Sequence, residues 1–180
     1  GATNLVTSGA GADIVLTTDT TAFTQELLIT TNETNSDIDA DVSIDGGTTN
    51  LIIGTSTIDG DLALRSGGTI TDTNGSTVTV KGTLTATTDA SHSVITLNQL
   101  AVTGAFTLAP NVSGDVTIVT AAGLNLAAST MGGDFRGTAT TGDISDSGIL
   151  ASAGDYTFPA AGGQRIPQDK TNRFTRPVTF

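Results

Sequence analysis

The chain has 180 residues with no Cys, no Trp, a single Met, 22 Gly and 4% aromatic residues, and its formal charge is −11. That charge argues against a nucleic-acid partner, whose phosphates need Lys and Arg. The lack of Cys removes disulfides and thiolate metal sites. No apolar run reaches transmembrane length, no stretch reads as a secretory leader, and a start at Gly1 reads as a processed or excised segment.

The first third is acidic throughout: no Lys or Arg occurs between Gly1 and Leu64. "GAGADI" at 9–14 has the glycines of a phosphate loop, but a strand-like run follows it instead of a helix, so a turn is expected. "AFTQELLITT" at 22–31 is the best helical candidate, weakened by its Thr flanks. Next, "SDIDADVSIDGG" at 36–47 places Asp37, Asp39, Asp41 and Asp45 at odd positions and Ile38, Ala40, Val42 and Ile44 at even ones. Such alternation predicts a strand with one wet face. The competing reading is a calcium site, because hard oxygen ligands at alternate positions could share an ion and relieve their mutual repulsion. It is not an EF-hand loop, since Val42 stands where that loop needs Gly.

Period two continues through the middle. In "STVTVKGTLTATT" at 76–88, Val78, Val80, Leu84 and Ala86 share one parity; "SVITLNQLAVTGAFTL" and "GDVTIVTAAGLNL" come close to the same pattern. Turn residues punctuate these runs at Gly46-Gly47, Asp59-Gly60, Asn74-Gly75 and Gly132-Gly133. His92, the only His, reads as a polar loop residue, and no nucleophile–base pairing stands out, so no enzymatic role is expected. The basic residues Arg165, Lys170, Arg173 and Arg176 gather near the end, beside Pro167 and Pro177. Proline cannot donate a ladder hydrogen bond; an irregular coil, a cap or an assembly contact is expected there.

The chain also repeats itself. "STIDGDL" at 56–62 matches "STMGGDF" at 129–135, "GGTITDTNG" at 67–75 matches "TGDISDSG" at 141–148, and "AVTGAFTL" at 101–108 matches "RFTRPVTF" at 173–180. A unit of about 72–74 residues therefore occurs twice, at 51–123 and, truncated, at 124–180, after a divergent N-terminal stretch at 1–50; the parent protein is expected to continue. Such a unit divides into coils of roughly 18–24 residues, each able to bury its apolar stripe only against its neighbours. The expected fold is all-β, a parallel β-helix of about eight coils and on the order of 40 Å long. A tandem β-sandwich is the alternative.

"LNLAASTMGGDFRGTATTGDISDSGILASAGDYTF" and "LIIGTSTIDGDLALRSGGTITDTNG" resemble the repeats of large filamentous-haemagglutinin-like bacterial surface proteins. The resemblance spans about 51–180 and implies a right-handed β-helix, an extracellular location, and adhesive or structural work without catalysis. Three functions follow as expectations. The first is a structural stalk or adhesin segment. The second is a subunit of an extracellular filament, joined head to tail with its acidic first third against the Arg165–Arg176 segment. The third is a calcium-stiffened adhesin binding a cell-surface glycan or protein.

Overall fold

In the computed structural model the described residues are 1–18, 20–31, 39–159 and 172–180, and their regular structure is all β-strand. The helical candidate at 22–31 is instead a strand, Leu27–Thr30. Leu27 and Ile29 are fully buried, and burial of a two-residue-period stripe overrides weak helix propensity. Each strand pair is parallel. A sandwich of antiparallel hairpins is thereby excluded: the chain winds as a β-solenoid of stacked coils.

Two large sheets line the solenoid. The back sheet has seven strands: Ile14–Leu16, Val42–Asp45, Leu62–Ser66, Leu84–Thr88, Ala105–Ala109, Leu124–Leu126 and Ile144–Asp146. The front sheet runs through Thr3–Val6, Leu27–Thr30, Leu51–Ile53, Ile70–Asp72, Ile95–Val102, Val116–Thr120, Phe135–Ala139, Tyr156–Thr157 and Val178–Thr179. It continues onto one edge as a lip made by Ser56–Ile58, Val78–Val80 and the end of Ile95–Val102. A small third sheet, Ser129–Met131, Leu150–Ser152 and Arg173–Phe174, covers an edge of the later coils. At about 4.8 Å spacing the seven back-sheet strands span about 30 Å and the nine front-sheet strands about 40 Å, close to the rod expected.

Side-chain alternation builds the core. Val78, Val80, Leu84 and Ala86 are all buried, as their shared parity predicts. One inward column on the back sheet is Val42, Leu62, Leu84, Phe106 and Leu126; one on the front sheet is Leu51, Ile70, Ile95, Val116, Phe135 and Tyr156. None of these is more than 1% exposed, and each such burial contributes about 1.5–3 kcal/mol. The narrow interior is mostly aliphatic, with Phe106 in its middle, until the C-terminal coils, where Phe135, Tyr156, Phe158, Phe174 and Phe180 form one ladder with centroids 4.7–6.1 Å apart. Pro177 precedes the last strand, where its missing N–H costs nothing and its carbonyl accepts from Tyr156 N.

Candidate functional site

The coils are joined at their corners by carboxylates. Asp13 Oδ1 accepts from Asp41 N at 2.9 Å, Asp41 Oδ1 from Asp61 N at 2.8 Å, and Asp61 Oδ1 from Thr83 N at 2.7 Å. Each carboxylate thus binds the backbone of the next coil just before its back-sheet strand begins. A second column does the same for the front sheet: Asp115 Oδ1 accepts from Asp134 N and Asp134 Oδ1 from Asp155 N, at 2.8 and 2.9 Å. Asp155 Oδ1 then accepts from Arg176 Nε at 2.8 Å. The corner backbone also stacks directly, with Gly82 N donating to Gly60 O and Gly104 N to Gly82 O, both at 3.0 Å.

The Asp61 latch has a testable strength. Replacing Asp61 with Ala leaves Thr83 N without its acceptor, and a hydrogen bond to a charged group is worth about 1.5–3 kcal/mol before solvent exposure weakens it. Asp61→Ala is expected to cost about 1 kcal/mol or more in urea denaturation. Asp61→Asn, which keeps an acceptor oxygen, should cost less than half of that. Equal losses would mean that the charge matters and the hydrogen bond does not.

The predicted calcium ligands do not act as one group. Asp41 belongs to the corner column and Asp39 is exposed, while Asp37 lies outside the described residues. Asp45, expected on the wet face with the others, is only 5% exposed. It sits at the far end of its strand, where Oδ1 accepts from Gly47 N at 2.8 Å and Oδ2 is 3.9 Å from Arg65 Nη1. Arg65 is one coil on, in register with Asp45, and its Nε donates to Asp89 at 2.9 Å. Distance in sequence hid that cation. Among the described residues, no three His, Cys, Asp or Glu side chains come together as a metal-holding group.

Of the basic residues read as an assembly contact, Arg165 and Lys170 lie outside the described residues. Arg173 is exposed on the third sheet, and Arg176 is engaged by Asp155 of the same chain. An ion pair joins the exposed Lys81 to the buried Asp59, whose N–H is held by Thr31 Oγ1 at 2.9 Å. Ser113 Oγ and His92 Nδ1 are 2.6 Å apart, a pairing no sequence spacing suggested; His92 is exposed and Ser113 half-buried, and His92 takes a left-handed φ of 63° in its turn. The expected turn at 9–14 is present, with Ala12 N donating to Gly9 O.

Two further groups hold irregular backbone. Ser56 Oγ accepts from Ile29 N and donates to Gly54 O; Ser129 Oγ accepts from Leu108 N and donates to Ala127 O, each at 3.0 Å. Asp72 Oδ2 accepts from Gln99 N at 2.7 Å, where the register of Ile95–Val102 shifts, and Asp146 Oδ2 accepts from Asn172 Nδ2 at 2.8 Å. Burial pushes the Asp72 carboxyl above its ordinary value of 3.8, more strongly than the N–H groups of Asn98 and Gln99 pull it down. The folded chain therefore holds that proton more tightly than the unfolded chain does. Its ionisation costs stability as pH rises through 3.8 and on through the raised folded value, and the loss levels off above it. Asp72→Asn keeps the acceptor and removes the titration. Its stability relative to the parent should rise with pH across that window in paired urea titrations, and a constant difference would refute the assignment.

The two halves of the chain share these latches: Asp41 and Asp61 correspond to Asp115 and Asp134, Ser56 to Ser129, Asp72 to Asp146. Their outward side chains differ: Ile52 against Asn125, Ala63 against Arg136, Arg65 against Thr138. A family model described as repeats of unknown function (DUF5649) matches the chain twice, over residues 39–109 and 113–180. No curated protein and no solved structure matches it.

Proposed function

We propose, for a chain that belongs to the DUF5649 family of repeats, that it is a load-carrying, non-catalytic spacer in a bacterial extracellular surface protein. A solenoid of such repeats is a structural scaffold. The observation that carries the finer reading is what the two copies share. They repeat core residues and coil-to-coil latches and let their outer side chains diverge, which is the pattern of a part kept for stiffness and reach. The resemblance to filamentous-haemagglutinin-like repeats supports a place on the cell surface. An antibody raised against the purified chain tests this: it should label intact cells, and external protease should remove the signal. Labelling that needs lysis would sink the surface location.

The charge distribution favours a second reading, assembly of rods head to tail. The coils built from Gly1–Leu64 contain no Lys or Arg, and Arg173 is exposed near the other end. Sedimentation at about 10 and 500 mM salt should then show larger assemblies in the weaker screening. Identical profiles would remove the electrostatic joint.

A further inference from the structure

The repeat and the coil are out of step by half a turn. Six steps of front-sheet register carry the chain from Leu51 to Val178, so one coil takes about 21 residues. A repeat of about 73 residues is then close to three and a half coils. Sheet membership shows the same thing strand by strand. Leu51–Ile53 lies in the front sheet and its counterpart Leu124–Leu126 in the back; Leu62–Ser66 lies in the back sheet and Phe135–Ala139 in the front. Ile70–Asp72 and Ile144–Asp146 exchange likewise, as do Leu84–Thr88 with Tyr156–Thr157 and Ala105–Ala109 with Val178–Thr179.

The edges follow. In the first copy the chain passes from front to back through the lip strands Ser56–Ile58 and Val78–Val80. In the second it passes from back to front through Ser129–Met131 and Leu150–Ser152. A chain winding in one sense makes those two passages on opposite edges. The carboxylate columns exchange sides as well, Asp41 and Asp61 serving the back sheet and Asp115 and Asp134 the front.

We infer that the repeat is a half-turn index: each added unit carries its own outer surface to the side of the rod opposite its predecessor's. A pair of repeats then presents equivalent positions on both faces of the rod. Outer residues at one repeat position, such as Ala63 and Arg136, lie on opposite sides of the rod, and only every second repeat faces the same way. Divergence of outer residues between neighbouring repeats gives the two sides different chemistry without disturbing the shared latches. The inference stands on the fold and holds wherever the protein resides.

The chain has no Cys, so paired labels can be placed cleanly. Ala63→Cys with Arg136→Cys puts spin labels at equivalent outward positions, neither of them a latch. Sheets about 10 Å apart, an axial offset of three and a half coils at about 4.8 Å each, and two outward label arms give an expected separation of about 30 Å by pulsed electron resonance. A repeat of three or four whole coils would put both labels on one face about 14–19 Å apart, and that result overturns the proposal. Thr85→Cys with Thr157→Cys is the second pair at the same interval and decides the matter if the first does not fold.

Discussion

Phe135→Ala should cost the chain about 3–5 kcal/mol, the loss expected for an aromatic side chain removed from a packed core. Phe135 is 1% exposed and packs against Tyr156 and Phe158, with centroids 5.0 and 5.6 Å away. Gly137 and Leu124 close in on the same ring, leaving little to collapse into the cavity. Because a coil touches only its neighbours, the damage should stay local. The C-terminal coils are expected to open before the rest, and the two-state transition should split. Tyr156 is the only Tyr and there is no Trp, so fluorescence reports those coils alone while circular dichroism reports every strand. In the variant the fluorescence midpoint should move to lower urea than the dichroism midpoint. Coincident midpoints would mean that the stack unfolds as one body and that nearest-neighbour energetics do not describe it.

The fold was readable because its cause is written along the chain at two scales. Alternation in "STVTVKGTLTATT" assigns the buried parity, and the echo of "STIDGDL" in "STMGGDF" requires units that stack. The strand at Leu27–Thr30 is the least legible one because Leu27, Leu28 and Ile29 form a continuous apolar run, which lacks a decisive period and leaves a weak helical alternative. The half-turn offset was invisible for a different reason. Sequence periodicity reports inside against outside, and front and back strands have identical periodicity.

The latches were half visible. Gly60-Asp61 and Gly133-Asp134 stand out as parts of the echo, yet nothing local to either marks its carboxylate as a latch. What converts an Asp at a corner into a latch is the backbone N–H of a residue about 20 positions later, and only the coil length brings the two together. Asp45 shows the same limit: its Arg65 partner is one coil away, so no local window contains both.

The corner glycines matter as much as the Asp carboxylates, and Gly82→Val, just before the Thr83 N–H that Asp61 holds, should show it with a loss of about 3 kcal/mol or more. A Cβ on Gly82 would stand 2.7 Å from the carbonyl of Gly60 and closer still to the Asp61 carboxylate. Coils spaced about 4.8 Å apart cannot admit a branched side chain between two corner backbones. Relief requires moving Gly60 or Gly104, which breaks the 3.0 Å bonds that Gly82 makes to both, or displacing Asp61 from Thr83 N. Either route opens a seam in the middle of the stack. Gly75→Ala is the control: its φ of +81° strains an L-residue, but nothing lies within 4 Å, so about 1–2 kcal/mol of backbone cost is expected. If urea denaturation gives the two variants equal losses, the corners are roomier than the stacking implies. A Gly82→Val loss well above the control would show that close corner approach, on which the Asp latches depend, limits what the repeat sequence can change.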